Sequence, residues 1–193
     1  NQLLKESLYF PNFYYQTAHG NTSDAEFTTQ VSFYPAKQGA AYFQYAHNHF
    51  HSLAHILKEQ GYSTLAMHAY KPSYWNRANM YRTLGFERFY SRMDFTHDEL
   101  LGWGLGDNSF LRQGAQILKK ENGPFYAFMV TLSSHHPYQA FSDYPHLKVG
   151  KYEGTFFGNY LKAVHYADEA LKTADASLFC GNCQLQECLF SSG

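Results

Sequence analysis

Phe125-Tyr126-Ala127-Phe128-Met129-Val130-Thr131-Leu132 is a continuous apolar run, and the polar, histidine-bearing Ser133-Ser134-His135-His136-Pro137-Tyr138 follows it directly. A run without alternation reads as a strand covered on both faces, the habit of a central strand in a parallel sheet. Asn122-Gly123-Pro124 stops a helix just before it, so the stretch reads helix, strand, polar loop.

Working outward, Tyr62–His68 gives a second short apolar run, and Gly61 ends the helix before it. Phe50–Gln60 has helical spacing at Leu53, Ile56 and Leu57. Ser73–Leu84 reads as helix up to Gly85, and Asp107–Glu121 as helix with Phe110, Leu111, Ala115 and Leu118 on one face. Tyr152–Thr173 repeats Tyr160, Ala163, Val164, Ala167 and Leu171. Near the beginning, Leu8–Tyr15 reads as a short extended segment. Ser23-x-x-Glu26 has capping-box spacing, which starts a helix at Thr22 or Ser23. Strands alternating with helices predict an α/β sheet with helices on both faces. In such sheets sites form at the carboxyl ends of strands, which marks His68 and the 133–138 loop.

The 193 residues suffice for one sizeable α/β domain. At 45% hydrophobic the composition is that of a folded chain, and a net charge of −1 excludes the basic field that holds nucleic acid. With 17 Tyr and 17 Phe, the aromatics serve either a core or a ring-lined groove. No run of about 18 apolar residues is present, so no membrane span is expected. The chain opens mid-pattern without Met or signal peptide and reads as an incomplete, soluble piece whose anchor lies outside it. The helical pattern fades after about Lys172. Residues 1–172 are therefore expected to form a partial catalytic domain, and 173–193 an out-of-pattern tail. Cys180, Cys183 and Cys188 all fall in that tail, where a disulfide or a shifted reading frame fits better than a zinc site.

Three constellations carry chemistry. Gly20-Asn21-Thr22-Ser23-Asp24 puts a hydroxyl at a helix N-terminus, where free N–H groups and the dipole favour a phosphate; a plain helix cap has the same spacing. Trp75-Asn76-Arg77 pairs a guanidinium fork with a flat ring, which suits a phosphate with a small polyol; a surface Arg beside a core Trp reads the same way. His135, after the strand, is placed to donate to a phosphate oxygen or to protonate a leaving group.

Together with Tyr9–Thr17, Tyr34-Pro35, His68, Tyr74–Arg77, Met80-Tyr81, Leu84-Gly85-Phe86, Gly102–Asp107, Pro124–Tyr126 and Tyr166–Leu171, these stretches resemble, in order, the lipoteichoic acid synthases and related phosphoglycerol transferases. The resemblance covers roughly residues 3–172. It implies a sulfatase-like fold of the alkaline phosphatase superfamily, truncated at both ends, in a protein held at the extracytoplasmic membrane face through missing N-terminal segments. It implies that Thr22 binds a divalent metal (Mn2+, or Mg2+) and attacks the phosphodiester of a phosphatidylglycerol-type lipid. A glycerol phosphate acceptor then takes the group from the threonine. Trp75, Arg77, His135 and His68 are implied as substrate-binding.

Three departures stand out. The family's Glu ligand would precede this chain, and its Asp-His pair is missing after Tyr166. Tyr70 stands where the family often has Asp, which points to a different head group. The expected metal site is thus incomplete and the expected turnover low. A phosphodiesterase without transfer, or a non-catalytic module, remains as the alternative. A sulfate ester is disfavoured because no C/S-x-P-x-R motif is present.

Overall fold

The computed structural model describes residues 8–179, with side chains through Ala174. Its helices are α1 (Thr22–Val31), α2 (Ala41–Gln44), α3 (Leu53–Glu59), α4 (Arg77–Thr83), α5 (Asp107–Leu118) and α6 (Phe156–Phe179). Its strands are β1 (Ser63–Met67), β2 (Arg88–Tyr90), β3 (Leu100–Leu101), β4 (Gly104–Leu105) and β5 (Phe125–Met129).

Three strands form a parallel sheet in the order β2-β1-β5, and β3 and β4 form an antiparallel hairpin. Strand β1 is the central one. Its Leu65 and Met67 enter one core with Phe110, Leu111 and Leu118 of α5 and Ala170 of α6. Ala66 faces the opposite way, into a core with Phe27, Ala54, Met80 and Tyr81 from α1, α3 and α4 and with Leu84 just past the end of α4. The period-2 alternation of the strand therefore fills both faces, as the apolar run at 62–68 predicts. Full burial of a side chain such as Leu65 or Met67 contributes about 1.5–3 kcal/mol.

Of the run at 125–132, Phe125–Met129 is a parallel strand, but it lies at the edge of the described sheet and is half-buried along its length. Hydrophobicity reports whether a strand is covered, not which neighbour completes the ladder. Leu8–Tyr15 forms no strand; its rings are exposed around a turn at Pro11. The helix expected over 73–84 splits into a 3-10 turn (Tyr74–Asn76) and α4, because Trp75 (φ 55°) and Asn76 (φ 57°) are left-handed. Two predicted helix faces are uncovered. Leu53 and Ile56 of α3 are exposed, as are Tyr160, Val164 and Leu171 of α6. The buried stripe of α6 is Ala163, Tyr166, Ala170 and Ala174. Helix α6 runs unbroken past Lys172 to Phe179. The three cysteines lie outside the described residues.

Strands β1 and β5 pair in register from Ser63–Phe125 to Met67–Met129 and end level. His68 therefore emerges beside the start of the loop that carries His135.

Candidate active site

Helix α1 begins at Thr22, directly after Asn21, whose backbone takes φ 42° and ψ −111° and makes no side-chain cap. A non-glycine residue at positive φ is strained by about 1–3 kcal/mol. Ser23 N–H donates to Gly20 O at 2.9 Å and Asp24 N–H to Asn21 O at 3.1 Å, so the helix end closes on its own turn. Thr22 is thus the first helical residue and not the cap. It is half-buried, and its hydroxyl makes no hydrogen bond among the described residues.

The capping box does not form. Asp24, not Glu26, serves the local backbone: its carboxylate accepts N–H groups from Ala18 (3.0 Å), Gly20 (2.9 Å) and Ala41 (3.0 Å). Gly20 makes room for that carboxylate, since a Cβ there would overlap it. Glu26 turns inward. Arg77 Nη2 donates to Glu26 Oε1 at 2.6 Å, Arg77 Nε donates to both oxygens at 3.1 and 3.3 Å, and the Tyr81 hydroxyl donates to Oε2 at 2.7 Å. Burial alone would lower the Arg77 pKa, but the Glu26 carboxylate outweighs it and holds the guanidinium charged. Burial, then Glu26, pushes the Tyr81 phenol well above its ordinary range. Arg77 also lies over the Tyr74 ring, 5.8 Å from its centroid.

His68 is 2% exposed. Its Nδ1 lies 2.9 Å from the Val130 carbonyl, and a carbonyl only accepts, so Nδ1 carries the proton. Nε2 is then a bare acceptor, buried and without a partner among the described residues. Burial, followed by the Arg77 charge and with a smaller push from His135, depresses the His68 pKa to about 3, against the Val130 hydrogen bond, which raises it. The ring is therefore neutral at physiological pH.

Aromatic rings connect the remaining residues. His135 is exposed and lies against Trp103, ring centroids 4.0 Å apart. Trp103 contacts Tyr70 (6.2 Å) and Tyr74 (6.4 Å), while Tyr70 contacts His68 (6.3 Å) and Tyr74 (5.2 Å). Trp75 packs on Tyr74 (5.8 Å) and Phe43 (6.2 Å). Trp103 sits in the two-residue β3–β4 turn. Gly104 lets that hairpin come close, because a Cβ there would stand 3.1 Å from Leu132 Cδ2 and 3.3 Å from Ala69 O.

Contacts through Tyr70, Tyr74 and Trp103 thus link His68, Trp75, Arg77 and His135 into one network, while Thr22 shares only helix α1 with Glu26, one turn away. Glu26 and Trp103 belong to that network without having been singled out from sequence as site residues, whereas Tyr70 was marked there as a head-group position. The signal for Trp103 is an aromatic between two glycines; the only signal at Glu26 is its capping-box spacing from Ser23, which points to a different role.

No group of three or more His, Cys, Asp or Glu among the described residues could hold a metal ion. Thr22 offers one oxygen donor, while Asp24 and Glu26 are committed elsewhere. The described residues therefore do not by themselves make a metal site, although members of the superfamily are generally dependent on divalent metals. No helix among them is long and apolar enough to cross a membrane.

The sulfatase family profile matches residues 1–178. The chain is 38% identical over 176 residues to the lipoteichoic acid synthase-like YvgJ of Bacillus subtilis, covering 89% of this chain and 28% of that protein. It is 35% identical over 167 residues to the lipoteichoic acid synthase of Staphylococcus saprophyticus, covering 85% and 26%. Among solved structures it is similar to the lipoteichoic acid synthase LtaP of Listeria monocytogenes, with a TM-score of 0.80 and 29% identity over 87% of this chain and 42% of that one. The chain therefore spans less than a third of the length of these curated relatives. Profile, sequence and fold agree: the chain belongs to the sulfatase family, as a lipoteichoic acid synthase-like member of the alkaline phosphatase superfamily.

Proposed function

We propose that this chain carries the reacting wall of an enzyme that moves a glycerophosphoryl group from a phosphatidylglycerol-type lipid to an acceptor hydroxyl, through a threonine-linked intermediate. The observation that carries the reading is the placement of Thr22 and Glu26 on one helix, with Glu26 fixing Arg77, whose charge is felt at His68. The Thr22 oxygen bonds to phosphorus and its proton passes to solvent water. The bond from phosphorus to the diacylglycerol oxygen breaks, and diacylglycerol leaves with a proton supplied by His135. The acceptor hydroxyl reverses these steps at the threonine. Arg77 offers its outer nitrogen to the phosphate, since Nη1 makes only a 3.5 Å contact to Tyr74 O. The bare Nε2 of His68 accepts a head-group hydroxyl, and Trp75 covers the glycerol carbons.

A divalent cation, manganese or magnesium, belongs to this reading through the resemblance; bound with Thr22, it would polarise the phosphoryl group. Work at the extracytoplasmic membrane surface belongs to it on the same ground. The test uses an intact enzyme of the relatives' length that carries this sequence, given fluorescent phosphatidylglycerol and manganese. Diacylglycerol release that disappears in Thr22→Ala is the expected result. Release of glycerol phosphate to water alone would make it a phosphodiesterase, and no release from the wild type would leave a non-catalytic module.

A further inference from the structure

Asp107 opens α5 and is 1% exposed. One of its oxygens, Oδ1, accepts two successive N–H groups, from Leu132 at 2.9 Å and from Ser133 at 3.1 Å. The Ser133 hydroxyl returns the contact by accepting the Asp107 N–H at 2.9 Å. This reciprocal clasp grips the chain just where it leaves β5. The next turn closes on it, since His135 N–H donates to Leu132 O at 3.1 Å. The other oxygen, Oδ2, is buried with no partner among the described residues. Among the described residues the carboxylate forms no ion pair, and the one side chain it meets is the Ser133 hydroxyl of the same clasp. Burial raises its pKa and the two amide bonds partly offset that, so the side chain is kept at a cost. A buried polar group held in this way fixes one local geometry.

The geometry points to Asp107 as the positioning residue for His135: it sets the 132–135 turn so that the imidazole rests on Trp103. This inference rests on the functional reading above for its catalytic meaning, but not for its geometry. Asp107 does not reach substrate; it acts through the loop.

The experiment is proton NMR on the full 193-residue chain at one fixed pH. The Trp103 ring current displaces the ring protons of His135, which are assigned by their loss in His135→Gln. Asp107→Ala is expected to return those protons most of the way to the shifts of an unstacked histidine, and to speed hydrogen exchange at the Leu132 and Ser133 amides. Asp107→Asn keeps an acceptor at the Oδ1 position and is expected to restore both signals. Ser133→Ala removes only the returning bond and is expected to give a partial shift. Should Asp107→Ala fail to fold, Ser133→Ala and Asp107→Asn decide alone. Unmoved His135 shifts in the folded Ala variants overturn the inference, as does an Asp107→Asn variant that behaves like Asp107→Ala. In the intact enzyme Asp107→Ala should lower kcat with KM retained. Shifts that move as expected while no variant or wild type turns over would sink the functional reading and leave the positioning role standing.

Discussion

Glu26 Oε1 and Arg77 Nη2 stand 2.6 Å apart with their side chains 4% and 2% exposed, which joins the helix of Thr22 to the turn of Trp75. A charge pair this buried is costly to half-remove. Glu26→Gln or Glu26→Ala should destabilise the chain by about 3–5 kcal/mol, because Arg77 is left charged and unpaired. The double change Glu26→Leu with Arg77→Met should recover most of that loss in a urea-unfolding cycle. A double variant as unstable as Glu26→Ala alone would mean that the tyrosine contacts, not the ion pair, carry the interaction.

Thr22 contributes little to the fold. Its hydroxyl has no partner among the described residues and it sits in a first helical turn, where alanine is well accommodated. Thr22→Ala should therefore leave stability within about 0.5 kcal/mol of the wild type, while ending diacylglycerol release in the intact enzyme. A large fall in melting temperature would assign Thr22 a structural bond and weaken the case for a free nucleophile.

Acid should act through His68. Its folded pKa, about 3, lies below the ordinary value of 6.5, so the unfolded chain takes up a proton that the folded chain refuses. The stability tied to neutral His68 is fully present above pH 6.5 and is lost as pH falls from there toward 3, by about 1.4 kcal/mol per pH unit. Between pH 6.5 and 5 most carboxylates stay ionised, so the wild type should lose stability more steeply there than His68→Gln. Equal slopes in urea titrations of the two would count against a buried neutral imidazole.

Helix α6 offers a contrast within one element. Ala163 and Ala170 are fully buried, so Ala170→Leu should destabilise by about 1–3 kcal/mol through overpacking. Val164→Ser on the open face should change stability by less than about 0.5 kcal/mol. Thermal melts of both variants check the assignment of the two faces.

That contrast shows what periodicity conveys. It groups Val164 with Leu171 and Leu53 with Ile56 on shared faces, but it cannot say which face is covered. Strand β1 and helix α5 were legible because their apolar residues have both period and cover. His68 and His135 were legible as strand ends, and Thr22 as a helix start. The Glu26–Arg77 pair was not, because its partners lie 51 residues apart and each has an ordinary local reading, one as a cap and one as a surface cation. Asp107 was visible only as the first residue of a helix, since its role depends on where β5 delivers Leu132 and Ser133.

The level ends of β1 and β5 have one more consequence. His68 and the origin of the His135 loop are set by a hydrogen-bonded ladder, in which a slip of one residue would turn every side chain to the opposite layer. Tyr70 and Trp103 lie beyond that ladder, one on the loop after β1 and the other at the tip of the separate β3–β4 hairpin. Under the proposed function, a change at Tyr70 would alter the head-group side while leaving the ladder that places His68 intact, whereas Trp103, on which His135 rests, would serve both ends of the reaction.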